Sequence, residues 1–211
     1  MRSPMPEQTL LTDFAFRWDE NYILIRVGSR NGRASASPVL LRMLEDIEPE
    51  VRSLLAPRAV FTVIPHRETN GHRIFDKAAE VALGVGTIGP ALEDEVERQF
   101  RGGDMLRGLL LDAFGTAAVV QVFKAVERRI VAEALGRGLW PGRRFSPGYR
   151  GWPLEEQRFL FSRVDAAAAG VRLNESCMMI PRKSNSFRIN LFADRALTTR
   201  RLPASVEATT A

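Results

Sequence analysis

The densest run of chemically capable side chains is Arg143-Arg144-Phe145-Ser146-Pro147-Gly148-Tyr149, followed at once by Trp152-Pro153. A guanidinium is a planar fork that meets both oxygens of a carboxylate, so either arginine could hold one. Ser146-Pro147-Gly148 spells a tight turn, able to present backbone amides and carbonyls to a ligand. Tyr149 and Trp152 would add amphipathic aromatic walls. That set suits a small zwitterion with a carboxylate and a base. It suits equally a structural Pro/Gly loop packed by its own aromatics.

Other patterns are weaker. Gly84, Gly86 and Gly89 spell G-x-G-x-x-G between a strand and a helix, with Asp104 further on. A dinucleotide site needs helix-start amides to hold a pyrophosphate. Pro90 removes one of them, and no βαβ alternation surrounds the motif, so it reads as a glycine-rich turn. His66 and His72, the only histidines, flank a polar loop containing Glu68. Their spacing in a loop does not enforce metal geometry, and they read as surface residues. Cys177 is the only cysteine, which excludes an internal disulfide and a cysteine-based metal cluster.

Several elements must position these residues. Tyr22 to Val27 reads as a strand, and the segment before it is unpatterned. Leu40, Leu44, Ile47, Val51 and Leu54 put one apolar face on a helix over 39–55, which Pro49 is expected to split. Ala59 to Ile64 and Val81 to Thr87 read as strands. A helix follows Pro90 and stops at Gly102-Gly103. Asp104 caps the longest helical stretch, which runs to Leu135 with a bend expected at Gly115. The segment 136–153, rich in Gly, Pro and Arg, reads as one long loop, a feature usually tied to function. Leu154 to Ala169 reads as a helix, and Leu173 to Ile180 and Phe187 to Phe192 as strands.

The 211 residues fit one domain, and 45% apolar with 26% charged residues excludes a disordered or collagen-like chain. No apolar run approaches the ~18 residues of a membrane-spanning helix and no secretory leader is apparent, so a cytoplasmic protein that does not span a membrane is expected. Thirty basic against 25 acidic residues leave +5, but the cations are interspersed with acids, which argues against nucleic-acid binding.

Longer motifs carry a resemblance. Arg144-Phe145-Ser146-Pro147-Gly148-Tyr149, then Trp152-Pro153-Leu154 and Gln157, then the run Leu173-Asn174-Glu175-Ser176-Cys177-Met178-Met179-Ile180-Pro181-Arg182-Lys183-Ser184 resemble the activation domain of cobalamin-dependent methionine synthase. Thr87-Ile88-Gly89-Pro90 and Asp112 to Val119 are similar to segments of its small stand-alone relatives. The similarity runs from about residue 75 into the low 190s.

The resemblance implies an α+β fold, a single unit built on a twisted antiparallel sheet with flanking helices; the unit is expected to span 1–211, with the unpatterned 1–20 and the terminal 198–211 loosely ordered. It implies S-adenosylmethionine as ligand, with Arg144 on the methionyl carboxylate and the backbone of Ser146, Pro147 and Gly148 around the adenosine. Tyr149 would lie beside the sulfonium or the partner corrinoid, with Glu175 and Ser176 next to the loop. This chain departs from the pattern at Val120, where the family carries a glutamate for the ligand's amino group; Gln121 is the nearest polar residue. Phe187 stands where a glycine is usual, and a later tyrosine is missing.

The D-x-H-x-x-G motif of a corrinoid-binding module is absent. One implied role is therefore accessory: donating the methyl group of S-adenosylmethionine to a cobalamin on a separate subunit, with a flavodoxin-like reductant. The alternative is a lyase that forms 1-aminocyclopropane-1-carboxylate and methylthioadenosine, with Tyr149, Glu175 or Lys183 as the base. A sensor that only binds the ligand is the non-catalytic option.

Overall fold

The runs 59–64 and 81–87 are apolar almost without alternation, the pattern of strands buried on both faces, whereas 186–191 alternates polar and apolar residues. The computed structural model describes residues 5–149 and 151–199. In chain order the elements are β1 (Thr9–Leu11), α1 (Glu20–Arg26), α2 (Pro38–Leu54), β2 (Arg58–Pro65), β3 (Glu80–Thr87), α3 (Ala91–Arg101), α4 (Met105–Gly136), β4 (Trp140–Phe145), α5 (Gln157–Arg163), β5 (Arg172–Leu173), β6 (Met179–Ile180) and β7 (Ser184–Phe192). Five strands form one antiparallel sheet in the order β1-β2-β3-β7-β4, and β5 pairs with β6 in a separate hairpin. The register shifts between Pro141 and Arg144 on the outer strand β4.

Each face of the sheet has its own core. Ala59, Phe61, Ala82, Phe187, Ile189 and Leu191 pack with the helices α1 to α4. Val60, Ile64, Val81, Leu83 and Val85 pack with Phe75, Trp152 and Leu160 on the other side. The glycine motif belongs to the first core. A Cβ on Gly84 would come within 2.5 Å of the Phe187 ring, and one on Gly86 within 3.0 Å of the Ala59 side chain. Gly89 has φ +84°. Close packing and one left-handed turn thus account for the three glycines.

The helix α4 begins where Asp104 accepts a hydrogen bond from the Arg107 amide and passes through Gly115 without interruption. By length and composition it could cross a membrane, contrary to the sequence expectation, but over half of its apolar stretch is buried inside the molecule. It is the central helix of the first core.

Several elements differ from expectation. Tyr22 to Val27 is not a strand. Asp19 caps a helix there, accepting from the Tyr22 amide, and Ile23 and Leu24 face inward. Residues 9–11, read as unpatterned, form β1. Pro49 lies inside an unbroken α2, on its exposed side, where a carbonyl left without an intrahelical donor can meet water. The loop expected over 136–153 contains β4. The helix expected over 154–169 is shorter, ending at Arg163 before an extended Val164. The strand expected over 173–180 is a hairpin, turned by Cys177 at φ +61° and by Asn174, whose Oδ1 accepts from the Met178 amide. Most of the segment 198–211 lies outside the described residues.

Candidate functional site

The predicted carboxylate anchor stands where α4 meets the β4 edge of the sheet. Phe123 and Glu127 are one helical turn apart on α4, so they share a side. Phe187 rises from β7 beneath them, its ring edge-on to Phe123 at 5.5 Å. Arg144, opposite Ile189 in the β4–β7 ladder, lays its guanidinium over both rings, 5.6 Å from Phe123 and 5.9 Å from Phe187. Glu127 Oε2 lies 3.7 Å from Arg144 Nη1, an ion pair too long for a hydrogen bond. That Nη1 is sealed from solvent and has no hydrogen-bond partner. Arg143, Arg144, Phe145, Ser146 and Tyr149 enclose a concavity of about 250 Å³ beside it.

The loop that follows is held from within. Gly148, at φ +88°, donates its amide to the Trp152 carbonyl at 2.7 Å, and the Trp152 amide donates to the Tyr149 carbonyl. The Gly148 amide therefore serves the turn itself. Pro147 is buried. Trp152 is not a ligand wall as expected; it is 1% exposed and packs edge-on against Phe75 at 5.8 Å. Tyr149, by contrast, is 68% exposed at the mouth of the concavity.

A chain of hydrogen bonds ties this loop to the β5–β6 turn. Ser146 Oγ bonds to Asn185 Oδ1 at 3.1 Å, which also accepts from the Ser186 amide. Ser186 Oγ donates to Gln157 Oε1, and Gln157 Nε2 donates to the Cys177 carbonyl. Glu175 and Ser176 lie exposed in that turn, with the Glu175 carbonyl accepting from Arg158 at 2.7 Å. They reach the loop through this relay and do not line its concavity.

The remaining candidates sit elsewhere. Lys183 Nζ reaches Asp112 Oδ1 at 2.7 Å, Thr116 Oγ1 at 2.9 Å and the Asp112 carbonyl at 3.2 Å, so all three of its donors are engaged. Gln121 is on the other flank of α4, where its Oε1 accepts from the Arg17 amide. It lines a larger concavity of about 550 Å³ with Val120, Lys124, Arg128 and Arg17. His72 Nδ1 accepts from the Ile74 amide. Among the described residues no three His, Cys, Asp or Glu side chains are grouped to hold a metal.

Glu127 was missed in the sequence. It is two turns beyond Val120, the same face of α4, and that spacing was the signal available.

No protein-family model matches the sequence, and no curated protein matches it. Among solved structures, the crystal structure of the MetH reactivation domain bound to AdoHcy is similar, with TM-score 0.63 and 15% identity over 90% of this chain and 80% of that one. The chain has the reactivation-domain fold. The antiparallel sheet with flanking helices expected from the motifs is therefore the architecture found. Within the reactivation-domain fold, the segment with the most specific motifs provides β4, the loop after it and β7.

Proposed function

We propose that the chain binds S-adenosylmethionine in the concavity beside Arg144. The observation that carries this reading is the Arg144 guanidinium itself: stacked on two rings, with a sealed Nη1 that lacks a hydrogen bond, beside a carboxylate that it does not reach. A zwitterionic amino acid matches that arrangement, its carboxylate on Arg144 and its ammonium toward Glu127. Glu127 then takes the part that Val120 cannot. Ser146, Pro147 and Gly148 border the adenosine, and exposed Tyr149 stands where an aromatic face can meet the sulfonium. Glu175 and Ser176 act from further out, through the turn that the Gln157 relay ties to the loop, and Gln121, on the other flank of α4, takes no part. The reactivation-domain fold, seen with AdoHcy in the similar structure, supports the ligand class.

In the role we favour, the protein is cytoplasmic and acts on a corrinoid held by a separate subunit. A flavodoxin-like protein delivers one electron to the oxidised cobalt. The sulfonium methyl then passes to the reduced cobalt, the C–S bond breaks with its electron pair left on sulfur, and S-adenosylhomocysteine remains. This chain supplies orientation of the methyl, and proximity supplies the rate.

Titration calorimetry of purified protein with S-adenosylmethionine tests the binding; absence of heat and of competition at millimolar ligand sinks it. Incubation with S-adenosylmethionine alone tests the role. The accessory reading expects intact ligand. Release of methylthioadenosine would instead assign the 1-aminocyclopropane-1-carboxylate-forming lyase, with Tyr149, Glu175 and Lys183 the bases to vary.

A further inference from the structure

The face of β7 turned away from α4 carries a buried polar row, Ser186, Arg188 and Asn190. Ser186 is satisfied by Gln157. Asn190 donates to the Ile74 carbonyl at 2.9 Å, but its Oδ1 is sealed without a partner. Arg188 is 5% exposed, and its Nε is sealed without a partner. Among the described residues its side chain makes no ion pair and no hydrogen bond. Its one partner is the ring of Phe145, the residue across from it in the β4–β7 ladder, 4.7 Å from the guanidinium carbon.

An arginine in this state is unusual. The half-buried cations Arg107, Arg144 and Lys183 each face a carboxylate: Glu50, Glu127 and Asp112. Removing a charge from water without a counter-charge is strongly unfavourable, and an aromatic face offsets only part of that. Burial pushes the Arg188 pKa down to about 10, which still leaves it charged at neutral pH. An apolar side chain would fill the same place without the penalty, as Phe192 does further along the strand. A buried, unpaired donor calls for an occupant.

We infer that Arg188 is the buried anchor of a second anion site, on the face of the sheet opposite α4, taking the oxyanion of a phosphate or carboxylate group against Phe145. A guanidinium fork matches two oxygens of such a group. Phe145 also lines the concavity beside Arg144, so this site and that one share a wall. The inference does not depend on S-adenosylmethionine as the ligand there.

Thermal melting of the whole protein tests it, with wild type, Arg188→Met and Arg188→Lys titrated with inorganic phosphate or acetate at constant ionic strength held by chloride. Without oxyanion, Arg188→Met should melt at or above the wild type. Phosphate or acetate should raise the wild-type midpoint saturably, raise Arg188→Lys less, and leave Arg188→Met where it was. The more effective of the two ions assigns the class. Equal shifts in wild type and Arg188→Met, or no saturable shift in wild type with either ion, overturn the inference. Should Arg188→Met fail to fold, the NMR signal of the wild-type Arg188 Nε–H decides: movement on addition of phosphate or acetate supports the site, and a signal that stays put with both rejects it.

Discussion

Arg144 and Arg188 lie beside each other in the same pair of strands, yet they face opposite sides of the sheet. Arg144 is across from Ile189, and Arg188 is across from Phe145. Both stack on phenylalanine. The difference is what each covering layer supplies. Over Arg144 runs α4, a 32-residue helix whose turns bring Phe123 beneath the guanidinium and Glu127 beside it. Over the other face lie a short turn at Arg73–Phe75, the loop around Trp152 and α5, which give Arg188 no carboxylate. A long helical neighbour that carries a ring and a carboxylate one turn apart turns a partly desolvated arginine into a poised recognition group. A patchwork of short segments leaves the same side chain with an unpaired charge.

The largest expected effect comes from stripping the aromatic floor on the α4 side. Phe123 is fully buried, and Phe123→Ala should cost about 3–5 kcal/mol in urea unfolding. A loss below about 1 kcal/mol would mean that the face collapses without the ring, and that the floor under Arg144 is not structural.

Next is Arg144→Ala, which removes the proposed carboxylate partner. Loss of a desolvated charge-assisted pair costs roughly 2–5 kcal/mol, so S-adenosylmethionine binding should fall well over tenfold by calorimetry. Arg143→Ala, at an exposed neighbour, should change it by about twofold or less, and both variants should keep their circular dichroism. Unchanged binding in a folded Arg144→Ala protein would remove the distinction between a functional and a merely buried arginine.

The smallest effect sharpens the role of Glu127. Its pair with Arg144 is long, and Glu127→Gln keeps the size of the side chain and a carbonyl acceptor, so the variant should stay folded, with a stability change of about 1 kcal/mol. Ligand affinity should drop several-fold, and more for S-adenosylmethionine than for an analogue lacking the amino group. Equal losses for the two ligands would show that Glu127 orients Arg144 without touching the ammonium.

Legibility in the sequence followed the range of the interactions. The Asp104 cap and the strands β2, β3 and β7 were readable, because local chemistry and apolar runs determine them. The loop after Arg144 stood out by composition. Tyr22 to Val27 misled because β-branched residues favour strands, whereas the Asp19 cap and two inward side chains impose a helix. The glycine motif was legible as a turn and not a nucleotide site, but the packing cause of Gly84 and Gly86 was hidden, because it is the approach of Phe187 and Ala59, residues distant in sequence. Trp152 looked like a binding wall until Phe75, from a separate turn, claimed it. Nothing local marks Arg188 as unpaired, since a missing counter-charge is a property of everything packed around it.

The register shift in β4 has a consequence for how this molecule meets others. Strand β4 is an outer edge of the sheet, and edges invite another chain to add a strand. Pro141 has no amide hydrogen to offer, the shift between Pro141 and Arg144 breaks the regular ladder, and the Thr198 hydroxyl occupies the Pro141 carbonyl. The opposite edge, β1, is only three residues long. Among the described residues, neither border presents a long, regular template for edge-to-edge aggregation or strand exchange. A macromolecule that recognises this protein must read its side chains and loops instead of extending its sheet.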